Sequence, residues 1–430
     1  MSRRARQARI DRAGRTRTQP PARPRVPRAA DGGPRPRILL PYADDSTLFF
    51  AHRMRGLLSE LPDPPEVVTA WYMPEWALSY RQLRQFEPDG ADRSLSGPQF
   101  VAAILGDEFD GVLASRVFRP LLDVLRRPER HHSPGRAAIG TFLGGLDFFP
   151  REGFANRRAA DLVYLFPRSL IGEFEAGQTG PEEGPEGWQR VGFGHPAFLR
   201  PETRGPIPDR GAPRTLASRA ADPARGRPGG AAPLPPVPME QRTDVFFFAQ
   251  ALSPATKSGR RFVLRSLAAI ARANPDRDVW IKLRHLPGEN AAHKHRELHD
   301  YPSLMAGEDW PANLRLTACT MDEALESAAI GITCTSTAAI DLVRDGVPTL
   351  VWLDYPGHRF DALVPPMRRL FAGSGLVRPL QDVLHLRSAP PDPAWVKDMF
   401  CPRDLGARVL SDIADFHARP FRLARPPELT

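Results

Sequence analysis

The sequence predicts an α/β protein with two doubly wound parallel-sheet domains that face each other across a cleft. Three observations predict this class. Short apolar runs of strand length alternate with segments of helical periodicity in both halves of the chain. The 430 residues suffice for two domains of ordinary size, and 41% of them are hydrophobic. A proline-rich stretch, residues 201–242, separates the two halves and is predicted to be a linker.

The first 36 residues are predicted to be a disordered basic tail. Residues 1–37 hold twelve arginines and two aspartates, whereas the rest of the chain is close to neutral, so this segment accounts for the net charge of +9. Such a tail could make peripheral contact with an anionic membrane surface. Nucleic acid is disfavoured as a partner, because the body of the chain has no excess of positive charge. A solvated arm and a start codon assigned too early are the alternatives.

The cysteines and the apolar runs indicate the compartment. Cys319, Cys334 and Cys401 are too widely spaced for a zinc site or a disulfide framework, and they favour a reducing cytoplasm. No apolar run approaches the roughly 20 residues of a membrane span, and no apolar segment follows the arginines as in a secretory signal. We therefore expect a cytoplasmic protein, with contact at the inner membrane face through the tail as an open addition.

The first domain is predicted to span residues 37–200. It begins with a buried strand at 38–40, a polar turn containing Asp44, Asp45 and Ser46, and a helix that runs to about residue 61. Four more strands and two more helices are predicted from the same patterns, with strands at 66–73, 111–114, 137–142 and 161–166 and helices at 98–105 and 118–125.

The second domain is predicted to span residues 243–418, followed by a C-terminal tail at 419–430. It restarts with a strand at 244–248, and Gln250 lies in the loop after that strand. Amphipathic periodicity predicts a helix at 260–273, and alternation predicts strands at 278–283 and 314–316. Further helices are predicted at 321–328 and, in the closing segment, at 395–417.

The stretch 329–352 is predicted to be strand, tight turn, helix, turn and strand. Thr335, Ser336 and Thr337 supply hydroxyls where the helix would begin, and Gly346 would end it. A helix N-terminus at the carboxyl end of a parallel strand binds anions, so this turn is a candidate phosphate site. An ordinary capped helix is the alternative. The turn has neither the P-loop motif nor the dinucleotide-binding motif.

A basic cluster lies at the carboxyl end of the strand predicted at 278–283. Lys282 and Arg284 share one face of the strand and His285 lies on the other. Lysine and arginine bind phosphates, and histidine can donate to a phosphate or a leaving oxygen. A solvated strand end is the alternative. Because His285, His293 and His295 match no standard ligand spacing, no metal site is predicted.

Two carboxylates complete the candidate site. Asp341 lies one helical turn after Thr337, where it could accept hydrogen bonds from ribose hydroxyls or be a surface acid in the first turns of a helix. Asp45 follows the first strand and could deprotonate an acceptor hydroxyl if its loop faces the cleft. Alternatively, Asp45 or Ser46 only caps the next helix. A serine hydrolase is disfavoured, because the chain has no GxSxG elbow.

These elements resemble the GT-B glycosyltransferases, which have two Rossmann-like domains. Around residues 335–348 the predicted order is strand, Ser-Thr, helix, Gly-x-Pro and strand. This order is similar to the donor-phosphate segment of those enzymes. The segment 282–287 resembles the His-Pro element of polysialyl- and CDP-glycerol-type transferases, except that Leu286 separates His285 from Pro287. The likeness is closest to an actinobacterial-type group of glycosyltransferases, and it also includes the sequence CPRDLG at 401–406.

The resemblance implies a metal-independent transferase without a cofactor, which moves a sugar from a nucleotide-activated donor to a hydroxyl acceptor in surface polysaccharide or glycoconjugate synthesis. It implies that Ser336 and Thr337 bind the donor phosphate, that His285 assists, and that Asp341 binds the sugar nucleotide, although many members have Glu at that position. Asp45 is the candidate base. Gln250, Lys282, Arg284 and Thr335 are the other candidate donor-binding residues. A CDP-polyol phosphotransferase, a sugar-nucleotide 2-epimerase and a non-catalytic binding protein are the alternatives.

Overall fold

A computed structural model of the chain describes residues 35–72, 78, 80–127, 136–143, 150–177, 189–200, 242–292 and 296–418. The predicted basic tail up to residue 34, the predicted linker up to residue 241 and the predicted C-terminal tail lie outside these residues. No helix in this described part of the chain combines the length and the apolar character needed to cross a bilayer.

The first half forms a seven-stranded sheet in which every pairing is parallel, in the order β3-β2-β1-β4-β5-β6-β7. Its core strands are short apolar runs that are buried on both faces, as parallel sheets covered by helices require. The strands are β1 (Arg37–Tyr42), β2 (Glu66–Tyr72), β3 (Arg93–Leu95), β4 (Gly111–Ala114), β5 (Ala138–Phe142), β6 (Leu162–Leu165) and β7 (Arg190–Phe193).

Helices connect these strands, as parallel pairing demands. The first of them begins after a capping box, in which the Asp44 side chain accepts from the Thr47 backbone and the Thr47 side chain accepts from the Asp44 backbone. The helices are α1 (Asp45–Ser59), α2 (Tyr80–Phe86), α3 (Gly97–Leu105), α4 (Arg119–Leu125), α5 (Pro150–Arg157) and α6 (Leu170–Ala176).

The second half forms a five-stranded, all-parallel sheet in the order β10-β9-β8-β11-β12. The strands are β8 (Asp244–Phe248), β9 (Val279–Lys282), β10 (Leu314–Thr317), β11 (Ala328–Thr333) and β12 (Thr349–Val351). The helices are α7 (Lys257–Ala273), α8 (Tyr301–Met305), α9 (Met321–Ser327), α10 (Ala338–Arg344), α11 (Val364–Leu370), α12 (Leu380–Leu384), α13 (Pro393–Met399) and α14 (Leu405–His417), with 3-10 turns at Pro287–Ala292 and His358–Phe360.

The predicted strands and the two-sheet architecture are confirmed, but the sequence patterns missed strands β3 and β7. Both are short and begin with an exposed or half-buried arginine, so neither contains an apolar run that marks a buried strand. They lie at the two edges of the first sheet, where burial is incomplete. Pairing with the neighbouring strand, rather than local composition, therefore makes them strands.

In the part of the chain that the structure describes, two segments pack across the halves. In the first, residues 194–200 run beside residues 398–404, and the Cys401 backbone N–H donates to the Phe198 carbonyl at 2.8 Å. The Arg200 N–H donates to the Cys401 carbonyl, also at 2.8 Å. The second is the last helix, α14, which lies inside the predicted second domain by sequence but packs against the first half. There an apolar face of α14 is buried, and Gly406 lies against Leu57 of α1. Asp412 of the same helix pairs with Arg190 at 2.9 Å.

Candidate functional site

The carboxyl ends of three neighbouring strands of the second sheet are level with one another. Phe248 of β8 pairs in register with Lys282 of β9 on one side and with Thr333 of β11 on the other. The loops after these strands therefore begin side by side, and they carry Gln250, Arg284 and Thr335. Open α/β sheets bind ligands at this edge. The candidate residues, which are far apart in sequence, are thus brought to one edge.

The basic strand end has the predicted alternation of faces. Ile281, Leu283 and His285 are buried, with 1% of the His285 surface exposed, whereas Lys282 and Arg284 are half-buried. This burial pattern agrees with the prediction that Lys282 and Arg284 share one face and His285 lies on the other. His285 lies beneath that face and not on it, because the residues on its side of the chain continue the core of the sheet.

The half-buried Arg284 contacts the other half of the chain. Its Nη2 donates to Oδ2 of Asp45 at 2.6 Å, and the two side chains are 26% and 17% exposed. Asp45 is the candidate base and Arg284 is a candidate phosphate ligand, so two residues that were assigned different roles form one ion pair. This contact supports the expectation that the start of α1 faces the second half.

The structure corrects the position of Asp45. It is the first residue of helix α1, not a loop residue, and neither it nor Ser46 is the cap. Asp44 occupies the cap position and is 5% exposed. Its side chain accepts a hydrogen bond from the Thr47 N–H at 3.0 Å and forms an ion pair with Arg116 at 2.9 Å. The capping function is thus carried by Asp44, and the Asp45 carboxylate can point across the cleft to Arg284.

The hydroxyl turn before α10 has three different residues rather than three equivalent donors. Ser336 Oγ accepts from the Ala338 N–H at 3.2 Å. Thr337 stands at the cap position in helical conformation, and its side chain makes no capping hydrogen bond, so the predicted cap is provided by Ser336 instead. Thr335 is 2% exposed, and its Oγ1 has no hydrogen-bond partner among the described residues. The end of the helix agrees with the prediction, since Gly346 has a φ of 73°.

The second candidate acid, Asp341, is also in an ion pair with the first half. Its Oδ1 accepts from Arg53 Nη2 of α1 at 3.1 Å and from Arg344 Nη1 at 3.0 Å. Both arginines also donate to the carbonyl of Ala197. Asp341 therefore forms ion pairs with two guanidinium groups in the structure, whereas the prediction expected it to accept hydrogen bonds from ribose hydroxyls. The sequence did not single out Arg53, because nothing near it distinguishes it from Arg55, the other arginine of α1.

The loop after β8 is held in place by a buried arginine. Arg260 of α7 is 2% exposed, and its guanidinium donates to the carbonyls of Gln250, Ala251 and Pro254. It also pairs with Glu297. Burial raises the pKa of Glu297, although the positive charge of Arg260 opposes the shift. The Gln250 Oε1 accepts from the Leu252 N–H. Gln250 thus belongs to a loop whose shape is fixed by hydrogen bonds.

Other catalytic chemistries have little support at this edge. Burial raises the pKa of the Cys334 thiol well above its usual value, so this cysteine stays protonated and serves in packing. Among the residues that the structure describes, no three His, Cys, Asp or Glu side chains form a group that could hold a metal ion. His293 and His295 lie outside those residues.

A cavity of about 260 Å³ lies beside the Arg53–Asp341 contact, at the side where the halves are joined. It is lined by Arg53, Gly56, Leu57, Glu60, Pro196, Leu199, Asp322, Arg344 and Arg403. A larger surface hollow of about 580 Å³ lies on α7, away from the candidate residues. Neither hollow includes Asp45 or Arg284, so the candidate site is defined by the converging side chains and not by cavity size.

The comparison with known families bears on the second half. Residues 220–415 match the model of a family described as "Putative glycosyltransferase (DUF6716)". The match covers just under half of the chain and includes both the basic strand end and the hydroxyl turn. No curated protein sequence matches the chain. The finer likeness to actinobacterial-type and to polysialyl- or CDP-glycerol-type transferases stays a prediction.

Solved structures bear on the fold. A Listeria monocytogenes protein described as a "putative UDP-N-acetylglucosamine 2-epimerase" is 11% identical, with a TM-score of 0.51 over 89% of this chain and 97% of that one. The UDP-GlcNAc 2-epimerase of Methanocaldococcus jannaschii is 9% identical, with a TM-score of 0.52 over 88% and 99%. At such identities the similarity is one of fold. It confirms the predicted GT-B arrangement of two Rossmann-like domains.

Proposed function

We propose that this protein transfers a sugar from a nucleotide-activated donor to a hydroxyl acceptor, in the cleft between its two halves. The observation that carries the proposal is the family match of residues 220–415, because this segment includes Lys282, Arg284 and the turn at Thr335, Ser336 and Thr337. Synthesis of a surface polysaccharide or glycoconjugate is the process that we associate with this reaction.

The donor phosphate would lie at the carboxyl edge of β9, β8 and β11. Lys282 and Arg284 supply positive charge, and Ser336 and Thr337 supply hydroxyl donors at the start of α10. These groups stabilise the negative charge that develops on the departing phosphate, so the reaction needs no metal cofactor. His285 would assist from the buried side of this strand end.

The first half would supply the acceptor side of the reaction. Asp45 is the proposed base, since it is the carboxylate of α1 that reaches the second half beside the proposed phosphate site. Asp341 would bind the donor ribose through its Oδ2 atom, because Arg53 and Arg344 both contact its Oδ1 atom in the structure.

The first experiment is a thermal-shift screen with UDP-, GDP-, TDP-, CMP- and CDP-linked sugars, because a ligand that binds the folded state raises its apparent stability. The compound that raises the melting temperature is then incubated with candidate acceptors, and the released nucleotide is measured. Release that depends on an acceptor supports transfer. If no compound in the screen shifts the melting temperature and none is turned over, the proposal is wrong.

Thr337→Ala tests the phosphate site at the turn. The change removes one hydroxyl donor, and hydrogen bonds to charged groups contribute roughly 1.5–3 kcal/mol, so affinity for the free nucleotide should fall by about 10- to 100-fold. Affinity for the matching nucleoside should stay the same. Because Thr337 makes no capping bond, the variant should keep its stability. Isothermal titration calorimetry with both ligands measures the difference.

Thr320→Ala is the matched control for this experiment. The Thr320 side chain caps α9 in the same half of the chain by accepting from the Glu323 N–H. Its loss should lower stability by about 1 kcal/mol and leave nucleotide affinity unchanged. Equal weakening of nucleoside and nucleotide in Thr337→Ala would mean that the phosphate lies elsewhere.

A sugar-nucleotide 2-epimerase is the second candidate, and the two solved structures above, both described as such epimerases, favour it. An epimerase converts the donor without an acceptor and yields a 2-epimer. Chromatography or NMR of the donor incubated alone with the protein therefore separates the two functions. A binding protein that acts through its basic tail would show neither reaction, and it would lose its partner when residues 1–36 are removed.

A further inference from the structure

The ion pair between Asp45 and Arg284 has a chemical consequence for the proposed reaction. The two residues are 239 positions apart in the sequence and meet at 2.6 Å across the cleft. A carboxylate that accepts a charge-assisted hydrogen bond from a guanidinium group is stabilised in its charged form, which weakens it as a base. The same bond engages the guanidinium group that the donor phosphate would need.

A nucleotide phosphate can compete for this arginine. Arginine binds phosphate and carboxylate with the same planar set of donors. A nucleoside diphosphate carries more negative charge than one carboxylate, so it is the stronger partner in a positively charged site that also contains Lys282. The ion pair is partly exposed to solvent, and such pairs are weak enough for a ligand to displace.

A second contact of α1, made by Arg53 in the middle of the helix, shows why this exchange need not separate the halves. Arg53 follows Asp45 by eight residues, about 12 Å along the helix axis, and holds Asp341 of α10. Arg53 also donates to the carbonyl of Ala197 in the segment that joins the halves. When Asp45 is released, this second contact can keep α1 against the second half.

We propose that donor binding activates the base through Arg284. The donor phosphate takes the guanidinium group of Arg284, and Asp45 loses this charge-assisted hydrogen bond, which makes its carboxylate a stronger base. In the step that follows, the acceptor oxygen bonds to the anomeric carbon and the hydroxyl proton passes to Asp45. The bond from that carbon to the phosphate oxygen breaks, and its electron pair leaves with the nucleotide. This inference rests on the proposed function and adds an order to it: donor before acceptor.

The test uses Asp45→Asn with UDP, GDP, TDP, CDP and CMP as probes, each compared with its nucleoside by calorimetry. Without its carboxylate competitor, Arg284 should bind the nucleotide about 3- to 10-fold more tightly, while nucleoside affinity is unchanged. Acceptor-dependent turnover should be lost. Glu60→Gln is the matched control, because it removes the same charge from the far end of α1. It should leave nucleotide affinity unchanged. Asp45→Ser serves as the second variant if Asp45→Asn does not fold.

Arg284→Gln and the double variant Asp45→Asn/Arg284→Gln show whether the gain in nucleotide affinity depends on Arg284. In the Arg284→Gln background, Asp45→Asn should no longer tighten binding. If the wild-type protein binds and turns over donor, two results overturn the inference and leave the proposed function intact. One is an unchanged nucleotide affinity in Asp45→Asn. The other is a gain in nucleotide affinity that persists in the Arg284→Gln background. A wild-type protein that neither binds any of the nucleotides nor turns over donor removes both.

Discussion

Among the described residues, two of the contacts between the halves have opposite character. We call them the hinge contact, residues 194–200 with 398–405, and the rim contact, the ion pairs Asp45–Arg284 and Arg53–Asp341. At the hinge contact, the two chain segments exchange backbone hydrogen bonds, and the Phe198 ring packs against Phe166 of the same half with 4.0 Å between the ring centroids. At the rim contact, every charged side chain is 17–26% exposed.

The difference shows which contact can open. Full burial of a phenylalanine side chain contributes about 1.5–3 kcal/mol, and a buried backbone hydrogen bond that is broken leaves unsatisfied groups. A solvent-exposed ion pair contributes about 0–1 kcal/mol and is screened by salt. The hinge contact is therefore the stronger of the two, whereas the rim contact can exchange partners with a charged ligand.

Phe198→Ala should give the largest effect, because it removes a ring that is 4% exposed and packs against Phe166 and His195. Such truncations cost about 3–5 kcal/mol of unfolding free energy. Urea unfolding followed by circular dichroism measures this loss. Phe360→Ala is the matched control, since Phe360 is 83% exposed and its removal should change stability by less than about 0.5 kcal/mol. Similar losses in both variants would contradict the assignment of the hinge contact as core.

His195 at the hinge contact predicts a pH dependence. Burial, and then the charges of Arg53 and Arg157, lower its pKa to about 3, from about 6.5 in the unfolded chain. Between these two values the unfolded chain binds a proton that the folded protein does not, so stability falls as the pH falls. The loss is about 1.4 kcal/mol per pH unit, or about 2 kcal/mol between pH 6.5 and pH 5.

His195→Asn removes this titration and retains an acceptor for the Ala197 N–H, which now donates to His195 Nδ1 at 3.1 Å. The variant's unfolding free energy, measured at each pH, should decline by about 2 kcal/mol less than that of the wild type from pH 6.5 to pH 5. Parallel curves for the two proteins would show that His195 titrates normally and that the hinge contact admits water.

The rim contact should give the smallest effect on stability. A double-mutant cycle with Arg53→Gln and Asp341→Asn isolates their pair from the second contact that Asp341 makes with Arg344. The coupling should be below about 1 kcal/mol and should decrease further in high salt. A coupling above about 2 kcal/mol would mean that the rim fastens the halves as firmly as the hinge, and the contrast between them would disappear.

The sequence by itself determined the features that depend on neighbours in the chain. Alternating apolar residues predicted the strands, Gly346 predicted the end of α10, and the faces of Lys282 and His285 followed from strand periodicity. It also placed the candidate residues after the carboxyl ends of their strands, and parallel pairing brings those ends to one edge of the sheet. These inferences succeed because strand geometry and turn chemistry are local properties.

Only the tertiary structure decided which long side chains pair across the cleft. Arg53 and Asp341 are 288 positions apart, and α14 lies on the first half although it ends the second. The cap of α1 is Asp44 and not Asp45 or Ser46, which leaves the Asp45 carboxylate to reach Arg284. An arginine side chain can reach many partners, so its choice depends on how the two halves pack, and no local pattern records that packing.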